Sequence, residues 1–132
     1  MNVKVEISKI LKKLSISPDL SGYAYLRDAI WMVMNDETIL HSSTTKILYP
    51  AVALRYNTTP ARVERAIRRA VETCGFKADD LELYDDIFGN ITSLHKECPT
   101  NSQFIGCVAD YLVLAQEMEQ SVNYESSKIT EQ

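Results

Sequence analysis

The segment TPARVERAIRRAVE, residues 59–72, places its apolar and basic side chains on opposite sides of a helix. If each residue turns about 100° and Arg62 is set at zero, the aliphatic side chains from Val63 to Val71 lie between roughly 40° and 180°. The basic side chains lie between roughly 240° and 360° on the same projection, and they are Arg62, Arg65, Arg68 and Arg69. This separation predicts a helix that buries one face in a core and presents the other to solvent or to a ligand.

The ends of this helix are also marked in the sequence. The Thr59 hydroxyl can accept a free backbone N–H of the first turn, and Pro60 suits the first helical position, where its missing N–H costs nothing. Gly75 is typical of a helix C-terminus. We therefore predict a helix from Pro60 to about Cys74, stopped by Gly75.

A second, shorter helical pattern precedes this one. Residues 47–55 have helically spaced apolar side chains, and we place the regular helix from Leu48 to Arg55 so that Pro50 falls in its first turn. The polar residues 56–59 separate the two helices. Two helices joined by a short turn predict a helix-turn-helix over about residues 48–74, whose second helix is the recognition helix.

Two interpretations of the basic face are open at this point. It is either a solvated surface with ion pairs, such as the one that Glu64 and Arg68 can form four residues apart, or a DNA-binding surface. Four arginines without a lysine favour DNA, because the guanidinium group matches guanine edges and phosphates in a bidentate manner.

The acidic net charge of the chain is an objection to DNA binding, and the distribution of the charges reduces this objection. The formal net charge is −4, yet residues 44–72 carry six positive and two negative side chains, while residues 73–132 carry three positive and eleven negative ones. Because salt screens exposed charges beyond about 8–10 Å, the local positive charge governs contact with DNA more than the total does. The acidic remainder weakens nonspecific binding.

The remaining apolar patterns predict an all-α fold, a compact bundle of about six helices. We expect one helical domain over residues 1–119 and a polar, disordered tail over residues 120–132. The helix near residues 23–35 is apolar nearly all round, so we expect it to be the central core element. The other predicted helices cover residues 2–14, the segment around 81–88, and residues 103–119, and a short helix or turn is expected near residues 35–41.

Nothing in the sequence indicates catalysis. Isolated histidines, an odd number of cysteines without close spacing, and the absence of a phosphate-binding glycine motif predict a non-enzyme without metal or cofactor. An acidic segment follows the recognition helix; a metal or acid–base site and a protein-contact surface are the alternatives, and we favour protein contact. Its residues are Asp79, Asp80, Glu82, Asp85 and Asp86.

The sequence also predicts a cytoplasmic protein. No apolar run approaches the ~20 residues that a membrane span needs. The N-terminus lacks the continuous apolar core and small-residue cleavage site of a secretory signal. The three cysteines are typical of reduced intracellular thiols.

Three segments resemble the DNA-binding effector domain of the stage-zero sporulation protein A family, response regulators of endospore-forming Firmicutes. The strongest is LYPAVALRYNTTPARVERAIRRAVE, residues 48–72, which contains YNTTPxRVERAIR. GYAYLRDAI (22–30) resembles the family's GYxYLRxAI, and PTNSQFI (99–105) resembles its PTNSEFI. The resemblance implies a six-helix domain that binds TGTCGAA-type boxes, often in tandem, as a dimer on DNA.

The family's base-contacting positions fall on Arg62, Glu64, Arg65 and Arg68. Arg62 and Arg65 are the candidates for guanine N7 and O6, because the N-terminal half of a recognition helix lies deepest in the major groove, and Glu64 can accept from cytosine N4. For the phosphates we predict contacts from Thr58, Thr59, Arg69, Lys46 and Arg55.

Three features depart from the family pattern. The family has an N-terminal receiver domain, whereas this chain starts directly at the effector; Arg69 replaces a frequent histidine; and residues 79–86 are more acidic. In the family the region at this position contacts the polymerase sigma factor. The alternative hypothesis is therefore a receiverless protein-interaction module that modulates a full-length regulator or the sigma factor.

Overall fold

The computed structural model describes residues 2–77, 80–89 and 98–130. These residues form seven α-helices and one π-helical segment, without a strand, which confirms the all-α prediction. The count exceeds six because the short stretch predicted near residues 35–41 is a helix of its own. The helices are α1 (Val3–Lys13), α2 (Ser21–Asn35), α3 (Thr38–Ser43), α4 (Tyr49–Arg55), α5 (Pro60–Lys77), α6 (Leu81–Phe88) and α7 (Asn101–Thr130).

Helix α2 is the centre of the bundle, as its apolar pattern predicted. It packs mainly against α1, α5 and α7, and also touches α3 and α4. Leu26, Ala29 and Ile30 are completely buried along it. Because α5 makes its largest contact with α2, the position of α5 in the molecule is set chiefly by how it fits against this helix.

The π-helical segment, Thr44–Leu48, leads directly into α4. Pro50 lies in the first turn of α4, as predicted, where a proline is tolerated. A proline cannot donate to the carbonyl four residues before it, and its ring crowds that carbonyl. The wider π-helical turn upstream of Pro50 is consistent with this constraint.

Two predicted helix ends are wrong. Helix α5 continues past Gly75 to Lys77. A glycine ends a helix by taking a left-handed conformation, and no glycine in the described part of the chain has a positive φ. A glycine that stays helical costs only about 1 kcal/mol relative to alanine, so the helix passes through it.

Helix α7 likewise continues beyond Glu119 to Thr130, where the sequence predicted a disordered tail. No glycine or proline occurs after Gly106, so nothing in the backbone interrupts the hydrogen-bond ladder. The polar composition of this stretch shows in its exposure instead, because every side chain from Glu117 to Glu125 is exposed.

Candidate nucleic-acid interface

The turn between α4 and α5 is a Schellman motif. Asn57 adopts a left-handed conformation with φ of 52°, which asparagine tolerates better than most residues. The Thr58 N–H donates to the Ala53 carbonyl at 2.9 Å, and the Asn57 N–H donates to the Leu54 carbonyl at 3.4 Å. This pattern ends α4 at Arg55, and α5 begins at Pro60 after a four-residue turn, which gives the predicted helix-turn-helix order.

The start of α5 is capped as the sequence predicted. Thr59 Oγ1 accepts from the Arg62 N–H at 3.3 Å, and Pro60 occupies the first helical position. Thr59 is exposed and Thr58 is half-buried, so both predicted phosphate-contacting threonines lie at the N-terminal end of α5. A helix N-terminus carries partial positive charge and unpaired N–H groups, a favourable place for an anion such as a phosphate.

The inner face of α5 packs on α2 at very short range. Val63, Ile67 and Ala70 are completely buried. Gly22 of α2 lies directly under α5, where a methyl group on its Cα would overlap the Ala66 backbone carbonyl and lie 3.0 Å from Ala70 Cβ. Because a backbone carbonyl cannot rotate away, only glycine allows the two helices to approach this closely.

The outer face of α5 carries the predicted arginines. Arg62, Arg65, Arg68 and Arg69 are all exposed. Glu64 lies at the border and is half-exposed, and its Oε1 accepts from Arg68 Nη2 at 3.1 Å. The structure therefore brings the four arginines onto one surface and pairs one of them with the predicted acidic residue.

The two remaining predicted phosphate contacts lie on the segment before the turn. Lys46 is exposed in the π-helical segment. Arg55, the last residue of α4, has a side chain that is 52% exposed, with Nε 3.6 Å from Asp28 Oδ2. Part of the Arg55 charge is thus balanced within the protein, whereas Lys46 forms no ion pair with any residue that the structure describes.

Asp28 is a structural residue that the sequence prediction missed. This carboxylate of α2 is almost completely buried, and the Tyr56 hydroxyl of the turn donates to it at 2.6 Å. Three cationic atoms surround it: Lys4 Nζ and Arg27 Nε at 3.9 Å, and Arg55 Nε at 3.6 Å. Burial and this hydrogen bond raise the pKa of Tyr56, so its hydroxyl keeps the proton that it donates.

A second buried polar residue, Asn101, attaches α7 to the motif. Its Nδ2 donates to the Tyr49 hydroxyl at 3.3 Å and to the backbone carbonyl of Glu64 at 3.2 Å. Burial raises the pKa of Tyr49, which stays neutral as an acceptor. Asn101 therefore fixes the first turn of α7 to both helices of the motif. Two local features of the sequence could have indicated these buried polar residues. Asp28 is a lone aspartate in an apolar helix, and Asn101 lies in a helix-capping sequence.

The acidic segment around α6 divides in the structure. Asp80 caps the helix, with Oδ1 accepting from the Leu83 N–H at 2.9 Å. Glu82, Asp85 and Asp86 are exposed, whereas Asp79 lies outside the described residues. Three of the five predicted protein-contact residues are therefore on an open surface.

The described residues show little sign of other chemistry. No group of three potential metal ligands occurs among them. Burial raises the pKa of the Cys74 thiol to about 12 and raises the pKa of Cys98 and Cys107 as well, which keeps all three protonated at neutral pH. None of the helices in the described part of the chain combines the length and the apolar character that a membrane span requires.

The fold and this surface define a class, a helical bundle that carries a helix-turn-helix with an exposed arginine face. The family model described as "Sporulation initiation factor Spo0A C terminal" matches residues 7–112, most of the chain. The chain belongs to this family of helical DNA-binding domains. The match covers the helix-turn-helix, the Asp28 site and the Asn101 contact.

Proposed function

We propose that this chain is a sequence-specific, DNA-binding transcription regulator of the sporulation or stationary-phase type. In this proposal α5 enters the major groove of a TGTCGAA-like box. The observation that carries it is the exposed arginine face of α5, positioned by a capped turn in a member of a DNA-binding family. It acts on the nucleoid in the cytoplasm.

The roles of the side chains follow from their place along α5. Arg62 and Arg65 lie in its first two turns, the part of a recognition helix that reaches base edges, and each can donate two hydrogen bonds to guanine. The Glu64 carboxylate can accept from cytosine N4. Its 3.1 Å contact with Arg68 holds both side chains on the same side of the helix before DNA arrives.

Phosphate contacts complete the proposed interface. Arg69, Thr58 and Thr59 belong to α5 or its cap, and Lys46 and Arg55 belong to the preceding segment. Such contacts fix orientation without selecting sequence. The logarithm of the binding constant falls as the logarithm of the salt concentration rises, and each cation that neutralises a phosphate makes this slope more negative by about 0.9. Two copies on tandem boxes are part of the same proposal.

A gel-shift titration tests the proposal. The wild-type chain is titrated against a duplex that contains one TGTCGAA-type box and against a scrambled duplex of equal length, both at one stated salt concentration. We expect the box to bind at least tenfold more tightly. Lys13→Ala, which removes an exposed charge from α1, is the matched control and should leave that ratio unchanged. Equal affinity for the two duplexes would reject sequence-specific binding.

The alternative function is a protein-interaction module. Glu82, Asp85 and Asp86 on α6 are exposed and suit a basic partner surface, such as one on the sigma factor or on a full-length regulator. A DNA-free pull-down with each partner discriminates between the functions, with Glu82→Gln/Asp85→Asn/Asp86→Asn as the test variant. Recovery of neither partner, with box binding intact, eliminates the alternative.

A further inference from the structure

Helix α7 extends well past the part of the chain that matches the family. The match ends at residue 112, whereas α7 continues to Thr130. From Glu117 to Glu125 every side chain is exposed, so this part of the helix has little packing against the bundle. A helical segment of this length is marginal in water without tertiary contacts. Packing against a partner surface would therefore stabilise this part of the helix.

From residue 111 onward α7 carries an apolar stripe, Tyr111, Leu114, Met118 and Val122, with spacings of three, four and four residues. Tyr111 is half-buried against the core, and the other three side chains are exposed. With Met118 at zero, these side chains lie within roughly 40° on either side of it. Leu114 is 51% exposed, Met118 70% and Val122 61%, although each is an aliphatic residue of the kind that usually packs. The stripe has the seam spacing by which two helices pack side by side.

We propose that the stripe binds the same stripe of a second copy, as an antiparallel and two-fold symmetric helix pair that forms without DNA. With Met118 on the two-fold axis, Leu114 of one copy faces Val122 of the other, and Tyr111 faces Glu125. The pair buries all three exposed aliphatic residues of each copy. The Tyr111 hydroxyl, a hydrogen-bond donor, then lies beside the Glu125 carboxylate of the other copy, twice per dimer. Glu125 is the one carboxylate that lies on the line of the stripe.

Charge selects the antiparallel orientation and the identical partner. A parallel pair would set Glu125 against Glu125, an unfavourable contact between like charges. The antiparallel pair sets each Glu125 against a tyrosine instead. Glu117 and Glu119 lie roughly 100° to either side of Met118 and stay hydrated at the border. The stripe is therefore complementary to itself in one orientation.

The size of the contact sets its strength. Residues 111–125 span roughly 22 Å of helix, which gives an interface at or below the low end of specific protein–protein contacts. We expect a weak pair that depends on concentration.

A two-fold axis also gives the two recognition helices opposite polarity, which suits inverted boxes or two separate duplexes. Tandem boxes in one direction require a different, head-to-tail contact.

Sedimentation equilibrium of the full chain without DNA tests the pair, because its outcome is independent of DNA binding. We expect a monomer–dimer equilibrium in the wild type and a dissociation constant raised about tenfold or more by Met118→Glu. The matched control is Gln120→Glu, which adds the same charge at an exposed position roughly 160° from Met118 and should leave the equilibrium unchanged. A wild type that is monomeric at every concentration overturns the proposal, as does a dimer that Met118→Glu leaves intact.

Met118→Glu should fold normally, because the side chain that it replaces is largely exposed, and circular dichroism checks this. Cysteine cross-linking then tests the orientation. Leu114→Cys mixed with Val122→Cys should give a disulfide-linked dimer under mild oxidation, above the background that the wild-type cysteines give. Leu114→Cys alone should stay at that background. A stronger cross-link for Leu114→Cys alone than for the mixture overturns the antiparallel pair.

Discussion

The inner and outer faces of α5 belong to one helix and obey different constraints. On the inner face, Val63, Ile67 and Ala70 are completely buried, and Gly22 leaves no space for even a methyl group. On the outer face, four arginines are exposed, and the ion pair described for them joins two residues of the same helix. The inner face determines where the helix lies, and the outer face determines what it can bind.

This difference separates stability from recognition. Close packing makes the inner face sensitive to the addition or removal of a single methylene. Exposed charges contribute little to stability, so the outer face can be changed without unfolding the bundle. We therefore expect substitutions on the two faces to have non-overlapping effects, which the following experiments measure from the largest to the smallest.

Gly22→Ala should give the largest change in stability. The new methyl overlaps the Ala66 backbone carbonyl, so α5 has to move away from α2, at a cost of about 3 kcal/mol in the free energy of unfolding. Urea denaturation measures it. Gly106→Ala is the control, because its methyl meets only the flexible end of the Leu40 side chain, and it should be close to neutral. Equal losses for the two variants would contradict the close-approach argument.

Arg65→Ala should leave stability within about 0.5 kcal/mol, because the side chain is exposed. Under the proposed function it weakens box binding by about 1–3 kcal/mol and relaxes specificity at one base pair. Gel shifts against single-base variants of the box measure this. Arg69→Ala is the comparison, with uniform weakening across sequences and a salt slope reduced by about 1. Identical specificity profiles for both variants would remove the distinction between base and phosphate contacts.

Tyr56→Phe tests the link between the turn and the core. It removes the hydrogen bond to the buried Asp28, and bonds to charged groups are worth about 1.5–3 kcal/mol. We expect a loss near the lower value, since three cations still surround the carboxylate. Tyr49→Phe, which removes a longer, neutral hydrogen bond with Asn101, should lose about 1 kcal/mol or less in the same thermal or urea titration. A larger loss for Tyr49→Phe would reverse the ranking of the two anchors.

Glu64→Gln should have the smallest effect on stability. Its partner Arg68 is exposed, and pairs of this kind contribute about 0.3–0.5 kcal/mol. The same variant should reduce discrimination at a cytosine, if the carboxylate accepts from its amino group as proposed. Parallel denaturation and gel-shift measurements separate the two effects. A large loss of stability would show that Glu64 contributes to the stability of the fold, as the residues of the inner face do.

Local patterns in the sequence were sufficient for much of the fold. The apolar spacing predicted the helices α1, α2, α5 and α7, the central place of α2 and the buried face of α5, and Thr59 predicted the cap of α5. These features depend on residues within one or two turns of each other. The predicted stop at Gly75 and the predicted tail after Glu119 were wrong, because neither a glycine nor a polar stretch ends a helix whose backbone hydrogen bonds continue.

The contacts that position α5 needed the tertiary structure. Asp28 and Tyr56 are 28 residues apart, and Asn101 lies 52 residues from Tyr49, so no local pattern connects them. The resemblance identified the segments that contain Gly22 and Asn101 but not what these residues contact.

The sequence by itself determined that residues 60–74 form an amphipathic helix with an arginine face, because helix geometry alone sorts side chains at this spacing. Only the tertiary structure decided how that helix is held. A glycine fits beneath it, a buried carboxylate of α2 holds the preceding turn through Tyr56, and an asparagine fixes α7 to it. The reason is that close packing and buried hydrogen bonds depend on which distant residues meet, which the chain establishes only on folding.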